Sequence, residues 1–447
     1  MTGDILSFHI FGQVIVVLNS IKVSKDLFDK RGDIYSDRPV IPILDMMKWG
    51  WLVPFARYGN FWRQGRRLLD RDLRPGAVTA YRLMQQMKAR VLLTRLLASP
   101  DEWEAHIEQL QGELILAMTY GYEVQGHNDR KITVARQMAT LSSTVTFPGC
   151  LLVNDLPFLR YIPEWLPWFS YKSLARLGHE LGEEVLHKPM EFVKESMAKG
   201  TARPSLALKN LQETEKLSRT EREKAEEAVA GALASMYAAG TDTTVSAIMG
   251  FLVAILLHPD LQTTAQRELD AVTGRERLPT FEDRSKLPFV DAVCKEVLRW
   301  RPVGPLGLPH STTEDDVYEG FFIPKATLTA CRGILHNPEV YPEPDAFKPE
   351  RFLEADGSLR DDPTLAATYG YGKRICPGRH LVDTTFFIFI ASLLSVFNIE
   401  RGKDDDVRHV EYSFTGAGIS RPNPFRCSFI PRDQRAEELI IADTMAR

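Results

Sequence analysis

Cysteine is scarce in this 447-residue chain: five in all, Cys150, Cys294, Cys331, Cys376 and Cys427. Their odd number and wide scatter, with no CxxC pair, exclude a disulfide framework and a zinc ribbon and fit a reducing compartment. Positive charge is not in excess either. Lys and Arg number 55 against 59 Asp and Glu, a formal charge of -4, which argues against a nucleic-acid partner because such partners favour basic chains. Gly/Ser linkers, charge blocks, repeats and low-complexity tracts are lacking, so one domain spanning residues 1–447 is expected. No signal peptide or spanning helix opens the chain. Ile5 to Ile21 is broken by His9, Gly12, Gln13 and Asn19, and its alternation predicts a strand pair. The longest apolar stretch, Leu381 to Ile399, is long enough for a bilayer, but Asp383, Thr384, Thr385, Ser392, Ser395 and Asn398 within it predict a buried core helix.

What is present is mainly helical pattern with small sheet elements near the ends. Amphipathic spacing predicts helices over Val78–Ala98, Glu102–Tyr120, Lys172–Lys199, Arg219–His258, Pro259–Thr273, Phe289–Trp300 and Gly378–Phe397. Proline-rich passages such as Leu156–Trp168 and Asn337–Pro349 punctuate them. Short strands are expected near the start, around Val317–Cys331 and within Val407–Ile430. Residues Ala228 to Leu257 are apolar almost all round, as in a helix through the core of a large domain. In their middle stands Ala238-Ala239-Gly240-Thr241-Asp242-Thr243-Thr244, which is poor helix material. Either a local distortion serving a functional site or a glycine kink with hydroxyls bonded back one turn fits these residues.

The stretch richest in chemistry is Tyr369-Gly370-Tyr371-Gly372-Lys373-Arg374-Ile375-Cys376-Pro377-Gly378-Arg379. Its glycines permit tight turns and close approach to a flat ligand, and Pro377 suits the start of a helix. A cysteine ahead of a helix N-terminus meets the positive end of the dipole, which favours the thiolate, and Lys373 and Arg374 add charge beside it. The string resembles the haem-binding loop of the cytochrome P-450 family, Phe-x-x-Gly-x-Arg-x-Cys-x-Gly: Gly372, Arg374, Cys376 and Gly378 match, and Tyr369 replaces the usual Phe. Other segments match in the same order along the chain. Glu296-Val297-Leu298-Arg299 resembles the Glu-x-x-Arg pair that locks the core, and Pro349-Glu350-Arg351-Phe352 the segment supplying its third member, Arg351. Trp62-Arg63-Gln64-Gly65-Arg66 resembles the helix whose Trp and Arg reach a haem propionate, and His310 matches a position that often bonds a propionate. Ala239 to Thr244 is similar to the oxygen-binding groove, with Gly240 admitting dioxygen and substrate, and Asp242 and Thr243 delivering protons.

The resemblance implies a mainly α fold with small β-sheets, in which haem b (iron protoporphyrin IX) lies between the long core helix and the Cys376 loop. A thiolate ligand favours O–O cleavage, so the implied activity is a monooxygenase inserting one atom of O2 into a hydrophobic small molecule. No GxGxxG or flavin motif is present, so electrons must come from a separate NADPH-dependent flavoprotein reductase, with Arg63, Arg67, Lys373 and Arg379 as expected docking contacts. Substrate-lining regions are expected at Val40–Phe55, Phe147–Leu166, Ala234–Thr243, Val303–Leu308 and Phe414–Ile419, supplying Trp49, Trp51, Phe55, Met236, Leu306 and Leu308. The finer likeness is to fungal secondary-metabolism members of the O-methylsterigmatocystin oxidoreductase-like group. Gly32–Arg38 and Phe397–Arg401 are similar to tryptamine-hydroxylating members, so aromatics, indoles, terpenoids and polyketides are the implied substrates. A haem-thiolate isomerase or dehydratase, or a truncated relative without turnover, are the alternatives within this family, and Cys376 with His380 holding another metal is one outside it. Family members of this kind sit on the cytosolic face of the endoplasmic reticulum by an N-terminal anchor and hinge. Neither precedes the first strand here, which suggests truncation. The segment from Ile323-Pro324-Lys325 to His336 is about two residues short, which predicts a lost strand pair and a shifted sheet register.

Overall fold

The computed structural model describes residues 3–10, 12–126, 128–147, 149–163, 171–331, 333–402, 413–415 and 418–445. Within them, the helices of nine residues or more are α1 (Asn60–Leu73), α2 (Arg82–Ala98), α3 (Trp103–Tyr120), α4 (Arg130–Val145), α5 (Tyr171–Ala198), α6 (Leu206–Thr214), α7 (Arg219–Leu257), α8 (Pro259–Thr273), α9 (Pro288–Trp300), α10 (Arg379–Val396) and α11 (Gln434–Met445). The strands are β1 (Ile5–Ile10), β2 (Gln13–Leu18), β3 (His310–Ser311), β4 (Asp316–Tyr318), β5 (Phe321–Ile323), β6 (Leu328–Cys331), β7 (Phe397–Arg401) and β8 (Cys427–Pro431). They form a four-stranded sheet ordered β1-β2-β6-β3 and the two-stranded pairs β4-β5 and β7-β8. The mainly α architecture with small sheets matches the expected fold class. The strand pair before Ile21 is present, with Ile5 opposite Leu18.

Helix α7 runs through the middle. From Ala228 to Leu256 nearly every residue is buried, and the helix packs against α1, α3, α4 and α6. A capping box starts it, Ser218 and Glu221 exchanging bonds with each other's backbone. Both α7 and α10 are long and apolar enough to cross a membrane, but 83% and 72% of their most apolar 18-residue windows lie inside the protein, as expected for Leu381 onward.

The central Gly-Thr-Asp-Thr-Thr stretch does not distort the helix. α7 is regular throughout, and its hydroxyls bond back one turn: Thr241 Oγ1 to the Tyr237 carbonyl at 2.7 Å, Thr243 Oγ1 to Ala239 at 3.0 Å and Ser246 Oγ to Asp242 at 3.1 Å. The shorter segment before His336 keeps its strand. β6 pairs in parallel with β2 (Ile15 opposite Leu328) and antiparallel with β3 (His310 opposite Thr329), so the expected loss of pairing does not occur.

Boundaries differ in two places. The helix expected from Val78 begins as a separate turn, Pro75–Val78, and a tighter one, Thr79–Tyr81, before α2 starts at Arg82. α10 stops at Val396 because Phe397 enters β7, paired with Pro431. Helix α4 escaped the sequence reading because its Ile, Val, Thr and Ser content has strand character. The Asp129 side chain caps it, accepting from Lys131 N at 2.8 Å, and burial of Ile132, Val134, Met138 and Leu141 holds it. Parts of the predicted strands in Val407–Ile430, of the proline-rich passage Leu156–Trp168 and of the lining segments Phe147–Leu166 and Phe414–Ile419 lie outside the described residues.

Candidate active site

A cavity of about 760 Å3 lies between the middle of α7 and the loop before α10, within the range of roughly 300–1,000 Å3 usual for cofactor and ligand sites. Cys376, Gly378, Arg374 and Tyr369 line it from the loop, and Ala239, Gly240, Thr243 and Thr244 from the helix. That explains why Ala239, in the middle of a buried helix, is exposed. The cavity also receives Leu52–Phe55, Met236, Val303–Leu308 and Ile419, as expected, and Met138, Ala139, Ser142 and Ser143 of α4 with Thr146 just after it, which were not.

The loop is shaped by contacts across the chain. Cys376 N donates to the Tyr369 carbonyl at 2.8 Å, and Arg379 Nη1 to the Cys376 carbonyl at 2.9 Å. Gly372 has φ +54°, and a Cβ there would stand 2.1 Å from the carbonyl oxygen of Phe28. That carbonyl belongs to a single π-helical turn, Asp26–Lys30, so two irregular backbones meet face to face. Gly372→Ala is therefore expected to lower stability by about 2 kcal/mol or more, since neither backbone can give way and φ is left-handed. An unchanged thermal midpoint would contradict this.

Burial pushes the Cys376 thiol up, while the N–H groups of Gly378 and Arg379 and the charges of Arg66 and Arg379 pull it down, with a net upward result. The helix start acts in the expected direction, burial outweighs it, and the cations that contribute are Arg66 and Arg379. Lys373 turns away to pair with Asp33 and Tyr58. A metal that bonds the sulfur would supply the missing stabilisation of the thiolate.

At one edge of the cavity, two buried cations lack carboxylate partners among the described residues. Arg374 donates to the carbonyls of Ser36 and Ala56, both at 2.8 Å, and lies over the Trp62 ring at 4.4 Å. Its Nη1 is buried with no partner among the described residues. Burial pulls its guanidinium down to about 10, so it stays charged at neutral pH. Arg38 donates to the carbonyls of Pro54, Leu308 and Pro309 at 2.8, 2.6 and 2.7 Å. Such a pair calls for an anion. The carboxylates of a haem fit it. Arg38 was missed as a site residue because "Ser-Asp-Arg-Pro" carries no pattern that separates a cavity cation from a surface one.

The other expected propionate residues divide. Trp62 is buried beneath Arg374 and lines the cavity. Arg66 lines the cavity, pairs with Asp70 at 2.7 Å and donates to the Ile375 carbonyl, bracing the cysteine loop. His310 is buried and lies against Phe28 with the rings tilted, 4.3 Å between centroids; its Nδ1 donates to the Tyr35 carbonyl at 2.8 Å. Burial and the neighbouring Arg38 lower its pKa well below the usual value, so it is neutral, with Nε2 an acceptor. It can donate to a carboxylate only by taking up a proton.

Behind the cavity, Glu296 and Arg299 are wholly buried and bonded twice, at 2.6 and 3.0 Å, and Arg351 Nε reaches Glu296 at 3.1 Å. Glu296 also accepts from Lys348 N at 2.8 Å, and Arg299 donates to the carbonyls of Leu335 and Pro344 at 2.9 and 2.8 Å. The three residues come together as expected.

On α7, Thr243 faces the cavity and Asp242 does not. Asp242 is buried, turned toward Arg421 at 3.4 Å, and burial raises its pKa. Gly240 lines the cavity, but its missing Cβ makes room for Ile115 of α3, whose Cδ1 stands 2.8 Å from where that atom would be. Its carbonyl accepts from Gln111 Nε2 at 2.9 Å. Trp49 and Trp51 do not line the cavity. Trp49 is buried against α5, its Nε1 donating to the Gly178 carbonyl at 2.8 Å, and only a glycine at 182 leaves room for its ring. No group of three His, Cys, Asp or Glu suited to another metal occurs among the described residues.

Comparison with known proteins agrees with this geometry. The sequence profile of the family described as Cytochrome P450 matches residues 1–427. The chain is 38% identical over 445 residues to cytochrome P450 monooxygenase claR of Ampulloclitocybe clavipes, covering 98% of this chain and 82% of that one. It is 40% identical over 446 residues to cytochrome P450 monooxygenase 208 of Postia placenta, covering 98% and 86%. It is 35% identical over 442 residues to the tryptamine 4-monooxygenase of Psilocybe cyanescens, covering 96% and 86%. Matches of this length take in the cysteine loop, the buried Glu296–Arg299 pair and α7 together: the chain belongs to the cytochrome P450 family and is one of its monooxygenases.

Proposed function

We propose that residues 1–447 form one catalytic domain in which Cys376 ligates the iron of a haem b. Arg374, Arg38 and Trp62 receive its propionate edge, and His310 joins them on protonation. The observation that carries this is one cavity lined by Cys376 on one side and by Gly240 and Thr243 on the other, with unneutralised buried cations at its edge. When bound, the haem supplies the oxidising chemistry, activating O2 for insertion of one oxygen atom. The protein excludes water, orients the substrate and moves protons.

Thr243 brings a hydroxyl of α7 to the cavity. Its proton is given to the Ala239 carbonyl at 3.0 Å, so its oxygen is left to accept from, and after a turn of χ1 to donate to, a group in the cavity. Asp242, next along the helix, supplies the proton. Thr243→Ala should keep NADPH consumption near its native rate while product per NADPH falls roughly ten-fold or more. Unchanged coupling would contradict the role.

The lining is mainly apolar, with hydroxyls from Ser142, Ser143 and Thr146 on one wall. That suits a hydrophobic small molecule with a few polar groups, such as an aromatic, indole, terpenoid or polyketide of fungal secondary metabolism. Electrons come from a separate NADPH-dependent flavoprotein reductase, on the cytosolic face of the endoplasmic reticulum usual for the family. Arg63 and Arg67, exposed one turn apart on α1, are its contacts. Lys373 and Arg379 are tied to Asp33 and to the Cys376 carbonyl.

A further inference from the structure

The cavity carries charge of one sign. Among the described residues that line it there is no Asp, Glu or Lys, but there are four arginines, Arg38, Arg66, Arg301 and Arg374. Three of them have a use already. Arg38 and Arg374 stand at the propionate edge of the proposed haem, and Arg66 is paired with Asp70. Arg301 is half-buried and forms no ion pair among the described residues. Its one hydrogen bond there, from Nη1 to the Trp300 carbonyl at 3.4 Å, is long.

Arg301 also lies apart from the propionate edge. Helix α9 ends at Trp300 and β3 begins at His310, so Arg301 and His310 stand at the two ends of one segment, whose residues Pro302 to Leu308 line the cavity between them. The charges felt at Arg301 are those of Asp345 and Arg299, whereas Arg374 feels Asp37 and Arg66. Burial and Arg299 both work against the charge on Arg301, and Asp345, which is exposed, attracts it without an ion pair.

Aromatic rings hold the Arg301 guanidinium instead. It lies over Trp300 at 4.6 Å and over Phe414 at 5.5 Å, and those two rings meet edge to face at 6.2 Å. Trp300 is fixed in turn by its Nε1, which donates to the Asp345 carbonyl at 2.8 Å. Ring faces hold the plane of a guanidinium and leave its N–H edges to other partners. An arginine presents five N–H groups in a rigid fork that matches a carboxylate, and the described residues give Arg301 a single acceptor. An ammonium buried in this cavity would meet cations and no carboxylate, which is costly. A carboxylate would meet a partner already in place.

We propose that Arg301 is a specificity-determining residue: it receives the carboxylate of the substrate, so the molecules oxidised are hydrophobic carboxylic acids, and those bearing an ammonium group are rejected. The inference deepens the proposed function and rests on its assignment of Arg38 and Arg374 to the haem propionates, which leaves Arg301 as the cation for substrate.

The test is equilibrium dialysis of the ferric haem-loaded protein against three hydrophobic acids, indole-3-propanoate, naphthalene-2-acetate and dodecanoate, each beside its methyl ester. The trimethyltryptammonium ion, whose charged nitrogen has no lone pair for iron, is the cationic probe. In the native protein at least one acid should bind about ten-fold or more tightly than its ester, the usual worth of a hydrogen bond to a charged group, and the cation should bind more weakly than the esters. Arg301→Gln should lose the preference for the acid while binding the ester as before. Arg301→Lys, which keeps the charge without the fork, should fall between the two. If no acid outbinds its ester in the native protein, or if the cation binds as well as the acid, the inference is overturned without recourse to a variant. A native preference in a folded R301Q protein overturns it equally, because the carboxylate then sits elsewhere. A protein that takes up no haem would strike the proposed function, whereas a haem-loaded protein without acid preference strikes this inference alone.

Discussion

Glu296→Ala should fail to accumulate as folded protein, or should lose about 3–5 kcal/mol of stability if it does. Glu296 and Arg299 are wholly buried, so removing the carboxylate strands a guanidinium in the core, the costly way to break a buried ion pair. It also strands Lys348 N and one bond of Arg351, so three elements lose their common anchor: α9, the Pro349–Phe352 turn and the segment before it. Glu296→Gln, which keeps the shape and an acceptor, should fall between the two. Soluble yield and the thermal midpoint of purified protein are the measurements. Native-like stability of the alanine variant would show that the triad does not hold this fold together.

Cys376→Ser should reduce monooxygenase turnover to background while leaving the polypeptide folded. The loop is held by backbone bonds, Cys376 N to the Tyr369 carbonyl and Arg379 to the Cys376 carbonyl, and by the brace from Arg66 to the Ile375 carbonyl. None of these uses the sulfur. A hydroxyl keeps the size of the thiol but is a far weaker anionic ligand, and the electron donation that favours O–O cleavage goes with it. Circular dichroism and the thermal midpoint separate loss of ligation from loss of fold. Retained turnover in a folded C376S protein would exclude Cys376 as the ligand.

Much of this was legible in the sequence because it lies in local strings. Gly372, Arg374, Cys376 and Gly378 form one loop, and Glu296 and Arg299 are neighbours on one helix face, so spacing alone brings them together. Helices with strong apolar periodicity were legible for the same reason. What stayed hidden depends on contacts far apart in sequence. Arg38 becomes a cavity residue only because Leu308 and Pro309, about 270 positions away, accept its protons. Arg66 could be assigned to a propionate from its helix position, but not its tie to Asp70 and Ile375. Trp49 reads as pocket lining until α5 presents Gly182 where its ring fits. Asp242 and Thr243 are adjacent in sequence, yet consecutive helical residues point about 100° apart, so only one of them faces the cavity. Helix α4, rich in β-branched residues, is set by tertiary burial rather than propensity.

The central claim is that Cys376, as thiolate, holds a haem iron, and one spectrum tests it most directly. Protein expressed with haem supply, reduced and exposed to carbon monoxide, should show the red-shifted Soret band that a thiolate ligand produces, and C376S should lack it. An imidazole-type band in the native protein, or no haem bound at all, would contradict the account.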